Sequence, residues 1–409
     1  MKATGLQCAA CKAVYGLEVA YACAKCGGIL EVTYDYESIR AEGSARGRGA
    51  GGGMNYALLP VEERHAVRLG EGWTPLLTAP RLASEIGVDR LLLKCESTNP
   101  TGSFKDRSIA VGIGKAVEFG IRTVIVASIG NGAAAVAAYA ARAGLQGLVL
   151  VSEGASSEKI RQTQFSGARV LRVQGPYSNS YALADILARR FRLFNLTTTF
   201  NNPYAVEGNK TIGHELHEQL EGDVPEGVFV PVGAGPMLAG ILRGYLDYRA
   251  LGQAQGMPRM VAVQAEGCSP VVRAFRAGRQ AVQEEASPRT VAGGICDGLV
   301  GYARDGSHTL THVRMSGGLA LAVSDEEILE AQRLLAQREG LFVEPSGAAG
   351  LAGLIRARQD GQIPANASFV VILSGHGLKD VAVLRGEEAP LIPPDAETAA
   401  RQFGLEQSE

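Results

Sequence analysis

Short aliphatic and β-branched runs alternate along the chain with longer amphipathic stretches. Leu91-Leu92-Leu93, Val124-Ile125-Val126, Leu148-Val149-Leu150-Val151 and Val170-Leu171 read as buried strands. So do Val228-Phe229-Val230, Val261-Ala262-Val263 and Phe369-Val370-Val371-Ile372-Leu373. Between them, Ala133–Arg142, Ala182–Arg192 and Glu326–Gln337 carry helical periodicity. Runs that are apolar throughout predict strands covered on both faces, and strand–helix alternation predicts parallel sheets with helices on both sides. The fold class is therefore α/β. In such sheets ligands bind at the carboxyl ends of the strands, so the loops leaving these runs are where chemistry is expected.

The length of 409 residues is enough for two domains with real cores. A net charge of −2 gives no basic field for nucleic acid or an anionic membrane, so neither is expected as a partner. The longest charge-free stretch, Thr123 to Ala141, is broken by Gly130-Asn131-Gly132 and reads as strand, turn and helix, not as a membrane span. The N-terminus lacks a basic stretch followed by an apolar one, so no signal peptide is expected and the location is read as cytoplasmic. Seven cysteines in that setting suggest thiols or metal ligands and not disulfides.

Residues 1–36 stand apart. Cys8-x-x-Cys11 and Cys23-x-x-Cys26 have the spacing that brings four thiolates around a structural zinc, which would add folding energy to a segment too small for its own core. The alternative is a degenerate ribbon that folds without metal. Residues 37–70 read as a linker, with the glycine-rich run 43–53 at its centre. Residues 71–385 form the main body, and 386–409 a C-terminal extension that orders against a partner subunit.

Within the body, Asn99-Pro100-Thr101-Gly102-Ser103-Phe104-Lys105-Asp106-Arg107 places a lysine at the start of an apolar helical stretch that runs to Phe119. The positive end of a helix dipole disfavours an ammonium there. A neutral amine is the form that attacks a carbonyl carbon. Three more loops follow apolar runs: Ser128-Ile129-Gly130-Asn131-Gly132, Gly233-Ala234-Gly235-Pro236-Met237 and Ser374-Gly375-His376-Gly377. The first two open helices, where backbone amides bind anions and glycine allows close approach.

Pro100–Arg107, Gly70-Glu71-Gly72-Trp73-Thr74-Pro75-Leu76 and the three loops, in this order, resemble the pyridoxal-phosphate (PLP) enzymes of fold type II, the tryptophan synthase β family, and among them the threonine synthases. The resemblance runs from about Glu71 to about Asp380. It implies two three-layer α/β/α domains with the cofactor between them, the smaller at about 97–205 and the larger at 71–96 plus 206–385, and a homodimer. It implies that Lys105 bonds the cofactor and then acts as base, and that Phe104 and Asn131 line the cofactor. The cofactor phosphate falls to Gly233, Ala234, Gly235, Pro236 and Met237, and the ring nitrogen to Ser374. The substrate carboxylate falls to Ser128, Ile129, Gly130, Asn131 and Gly132. For His376 a packing or hydrogen-bonding role is expected.

The implied activity is elimination or replacement at the β- or γ-carbon of an amino acid, and in the threonine synthases the conversion of O-phosphohomoserine to threonine and phosphate. The chain departs from the threonine synthase pattern at Ile129 and Gly132, at Thr199-Phe200, and at Ala205 where that pattern has arginine. The Gly loop and Glu344-Pro345-Ser346-Gly347 look more like those of the amino-acid dehydratases. A dehydratase, a cysteate synthase-like replacement enzyme and a PLP-binding protein without turnover stay open beside a threonine synthase, with Lys210 or Arg161 as substitute phosphate ligands.

Overall fold

The computed structural model describes residues 2–43, 54–128, 130–153, 155, 157–381 and 389–405. Thirteen strands form three sheets among these residues. β1 (Ala3–Cys8), β2 (Val14–Tyr15) and β3 (Leu30–Tyr34) make an antiparallel ribbon in the order β2-β1-β3. β4 (Leu76–Thr78), β5 (Arg90–Lys94), β10 (Gly227–Pro231), β11 (Arg259–Ala265), β12 (Leu319–Val323) and β13 (Ser368–Ile372) form a sheet ordered β12-β11-β10-β13-β5-β4. It is parallel except for the β4 edge. The third sheet, ordered β8-β7-β6-β9, is parallel and holds β6 (Thr123–Ala127), β7 (Gln146–Ser152), β8 (Arg169–Val173) and β9 (Phe194–Asn195). The seven apolar runs fall on strands of the two larger sheets, with only Leu373 lying just past the end of β13.

Their all-apolar sequences match their surroundings. β10 is buried at every position, and β6 at every position after the first. At about 25 cal/mol per Å² of apolar surface removed from water, these strands supply much of the driving force for the two layers. β13 lies between β10 and β5. The loops leaving these three neighbouring strands therefore emerge side by side, which sets up the site described below.

The ribbon is not a separate unit. Leu6, Cys8, Cys23, Leu30 and Val32 share one core cluster with Ile109, Val126 and Val136 of the body. It also reaches both larger layers through polar contacts: Tyr21 Oη donates to the Leu193 carbonyl at 2.9 Å, and Tyr36 Oη to Asp247 at 2.6 Å. Part of the expected linker is core. Met54, Tyr56, Leu58, Leu59 and Val61 are buried, so 54–61 is not a spacer: Met54, Tyr56, Leu59 and Val61 share a core cluster with the Lys105 helix, and Leu58 packs with Ile39 and Leu251. The glycine run itself, 44–53, lies outside the described residues. In the C-terminal extension the helix Ala396–Phe403 buries none of its residues.

Candidate active site

The helix bearing Lys105 spans Lys105–Glu118 and starts after a tight turn in which Gly102 takes φ +83°. Asp106 closes that turn by accepting the Thr101 amide at 2.6 Å and the Thr101 hydroxyl. Arg107, fully buried, fixes the helix to its neighbours. It donates from Nε and Nη2 to both oxygens of Glu96 at 2.6 and 2.7 Å, and from Nη1 and Nη2 to Glu215 at 2.5 and 2.7 Å. Lys94 on β5 joins the same Glu215 at 2.7 Å. A buried arginine needs this complete pairing, since an unpaired buried charge costs several kcal/mol. Lys105 is thus the first residue of a firmly held helix.

Lys105 Nζ donates to Thr198 Oγ1 at 2.8 Å. Burial is the main reason its amine is pushed down to about 8, and the nearby carboxylates of Asp297 and Glu344 oppose that only in part. The cleft around Nζ is walled by Phe104, Ser108, Thr199, Ala205, Asn209 and Pro236. Asn209 Oδ1 there is buried without a partner, as is Ser103 Oγ next to Phe104.

The other loops converge. The Phe104 amide donates to the Ser374 carbonyl at 3.0 Å, and Ser103 bridges to Gly375, so the β13 loop lies against the lysine turn. Ser374 is buried. A side chain at Gly375 would strike Glu344 and come within 3.2 Å of Asn131 Nδ2. Asn131 Nδ2 in turn donates to Glu344 Oε1 at 2.8 Å. Asn131 is the first residue of the helix Asn131–Ala143, with Gly130 before it and no side chain capping its free amides. Ser128 Oγ accepts the Gly130 amide at 3.4 Å. Gly132 leaves little room: a side chain there would meet Ser128 Oγ at 3.0 Å and Thr198 Oγ1 at 3.2 Å. Ile129 lies outside the described residues.

The Gly loop leaves β10 and opens the helix Pro236–Ala250. Gly235 takes φ +96°, a conformation that only glycine adopts freely. A side chain at 235 would run into Thr309, whose Oγ1 donates to the Ala234 carbonyl at 2.6 Å. Gly233 stands against Asp297 and Gly294. No side chain caps this helix either, and its first residue, Pro236, shares the cleft wall with Lys105.

Three participants carry no local signal in the sequence. Thr198 lies in a run of three threonines after the short β9, and Thr309 in a helix with no motif. Asp297 sits in the glycine-rich segment Gly293–Gly298, which follows no apolar run. Burial raises the Asp297 carboxyl, while Tyr302 Oη and the Leu299 amide hold it at 2.6 and 2.9 Å. His376 packs edge-on against Phe342 and accepts the Leu378 amide at 3.2 Å. Lys210 is no stand-in phosphate ligand. It is buried and paired with Glu207 at 2.8 Å and Asp247 at 2.9 Å. Arg161 is exposed.

In the ribbon, Cys8 and Cys26 Sγ are 3.5 Å apart, as are Cys11 and Cys23. A tetrahedral zinc with ~2.3 Å bonds to sulfur has edges of about 3.8 Å, so the four thiols suit it with little adjustment. A side chain at Gly28 would press on Cys8 Sγ at 2.8 Å, which explains glycine there.

A depressed buried lysine, two helix N-termini without side-chain caps beside glycines, and the orphaned Asn209 Oδ1 in the cleft fit an aldehyde cofactor that carries a phosphate. Residues 67–375 match the family model described as "Pyridoxal-phosphate dependent enzyme". The threonine synthase of Methanosarcina acetivorans is 42% identical over 378 residues, covering 92% of each chain. That of Methanocaldococcus jannaschii is 39% identical over 94% of this chain and 95% of its own. Among solved structures, the threonine deaminase of T.th. is 30% identical with a TM-score of 0.59, covering 78% of this chain and 94% of its own. Maize serine racemase, at 22% identity and a TM-score of 0.64 over 81% of this chain and 91% of its own, shares the fold. Matched over most of its length in sequence and in shape, the chain belongs to the pyridoxal-phosphate dependent enzymes and is threonine synthase-like.

Proposed function

We propose that this enzyme is a threonine synthase that converts O-phosphohomoserine to threonine and phosphate. The observation that carries the reading is the desolvated Lys105 amine on a rigid helix, facing the Gly loop, in a chain so similar to named threonine synthases. When bound, the cofactor supplies an electron sink beside the substrate α-carbon. Lys105 Nζ would hold the cofactor at its carbonyl carbon and, once freed by the incoming substrate, would serve as the base for the α-proton. Thr198 Oγ1 holds that nitrogen in place between these duties. The amides of Gly233, Ala234, Gly235 and Met237 would hold the cofactor phosphate, with Pro236 shaping the turn but donating nothing, and Ser374 Oγ would take the ring nitrogen. A neutral hydroxyl there keeps the ring a moderate sink, which suits elimination and replacement. Asn131 lines the ring, and residues 128–132 bind the substrate carboxylate through the helix amides. The two larger sheets belong to two domains that enclose the cofactor, the functional unit is a homodimer in the cytoplasm, and the cysteines of the ribbon hold a structural zinc.

One observation favours a second reading. Among the described residues lining the cleft, Lys105 is the one cation, and Ala205 stands where the threonine synthase pattern has arginine. A charge-assisted contact is worth about 1.5–3 kcal/mol, so its loss favours a side chain without phosphate, as in an ammonia-lyase or a β-replacement enzyme. Steady-state assays of the PLP-loaded protein separate the readings. Stoichiometric threonine and phosphate from O-phosphohomoserine supports the synthase. Keto acid and ammonia from serine or threonine, with O-phosphohomoserine inert, overturns it in favour of the lyase. Turnover only with an added nucleophile points to replacement.

A further inference from the structure

The helix Ala303–Met315 makes three contacts along its length. Asp305 Oδ2 accepts the Phe200 amide at 3.0 Å and so steadies the loop that presents Thr198 to Lys105. Thr309 supports the Gly loop through the Ala234 carbonyl. His308 and His312 reach instead toward Glu31 on β3 of the ribbon.

We propose that Glu31, His308 and His312 form a second metal site, separate from the four cysteines, for a divalent transition ion of the zinc class. One ligand atom from each residue lies within 4.8 Å of the others. His308 Nε2 and Glu31 Oε1 are 3.3 Å apart, and a tetrahedral zinc with ~2.05 Å bonds to nitrogen and oxygen has edges of about 3.3 Å. The histidines are four residues apart on one helix and so share a face. His312 Nδ1 lies 2.9 Å from the His308 carbonyl. That contact assigns the proton to Nδ1 and leaves Nε2 as the ligand, the outer arrangement that commonly orients metal-binding imidazoles. His312 is buried, while the side chains of His308 and Glu31 keep 13% and 29% of their surface. One side of the site is therefore open for water as a fourth ligand.

Two imidazoles and one carboxylate suit zinc, cobalt or nickel and not calcium or magnesium. Arg243 Nη1 stands 3.6 Å from Glu31 Oε1, but its nearer partner is Glu207 at 2.9 Å. Its charge makes this site weaker than the cysteine site, and its ion more readily exchanged. Because the same helix supports both loops beside Lys105, filling the site braces the ribbon against the cofactor cradle.

The test is cobalt titration of metal-stripped, PLP-loaded protein, followed by absorbance and metal analysis. Two equivalents are expected. One gives the intense near-ultraviolet charge-transfer band of thiolate ligation; the other gives only weak visible bands and is removed first by a mild chelator. Glu31→Gln, His308→Gln and His312→Gln should each lose the second equivalent and keep the first, whose thiolate band shows that the ribbon is folded. A single equivalent that carries the thiolate band in the unaltered protein, or two retained in Glu31→Gln, overturns the proposal and leaves His308 and Glu31 as a close polar pair without metal.

Discussion

The Lys105 amine should react with carbonyl compounds at a pH where ordinary lysines are inert. Its pKa is about 8, against 10.5 for an unperturbed side chain, so at pH 7 its neutral fraction is about 300 times larger. The same difference amounts to about 3 kcal/mol of disfavour for the charged form. The sign follows from proton counting. Between pH 8 and 10.5 the unfolded chain holds a proton on this group that the folded chain does not, so the group's contribution to stability rises with pH across that window. The assay is the rate of PLP uptake by cofactor-free protein between pH 6 and 10, followed by cofactor absorbance. The Lys105 peptide in the urea-unfolded chain serves as reference. A rate that climbs with a midpoint near 8 is expected. Asp297→Asn, which removes the leading carboxylate favouring the charged amine, should move the midpoint lower. A midpoint near 10 in the folded protein, or an upward shift in Asp297→Asn, would refute the desolvation argument.

Other perturbations test other parts of the site. Thr198→Val removes the hydroxyl that holds Lys105 Nζ at 2.8 Å. At about 0.5–1.5 kcal/mol for one hydrogen bond, kcat/KM should fall about 2- to 12-fold with cofactor content unchanged, and an intact rate would dismiss Thr198 as a positioning group. Gly235→Ala meets both a left-handed backbone and Thr309. Equilibrium dialysis should show weaker PLP binding, with Thr309→Gly restoring the steric part and leaving a residue of about 1–2 kcal/mol from the backbone; full restoration would contradict the backbone argument. Cys11→Ser in the ribbon should lower the thermal midpoint and abolish the protection that added zinc gives the parent protein, because a lost thiolate weakens a site coupled to folding. An unchanged midpoint with and without zinc would show that the ribbon folds without metal.

Seven strands of the two larger sheets were legible because each contains an apolar run. β4 and β9 were not, being three and two residues long, and neither was β12, since Leu319-Ala320-Leu321-Ala322-Val323 has two alanines and little β-branching, and its place at a sheet edge comes from pairing with β11 alone. The ribbon strands are short, and metal-ligand spacing, not periodicity, pointed to them. Within the site, Lys105 stood out because it opens an apolar helical stretch after a Pro- and Gly-containing turn, and Asn131, Gly233–Met237 and Ser374 because each follows an apolar run beside glycine. Thr198, Asp297 and Thr309 act through what they face across long sequence distances: Thr198 is 93 residues from Lys105, and Thr309 is 75 from Ala234. No local pattern carries that information. The burial of residues 54–61 was hidden by the glycine run before them.

The cluster of Arg107, Glu96, Glu215 and Lys94 behind Lys105 also bears on temperature. Hydration of ions becomes less favourable on heating, so the cost of burying these charges falls as the protein warms, while the gain from apolar burial levels off. The anchor of the catalytic helix therefore strengthens relative to the surrounding core at high temperature and is comparatively weakest in the cold. Loss of activity on chilling should precede any loss of the sheets, and heat should loosen the ribbon and the outer helices before it frees the base of the Lys105 helix.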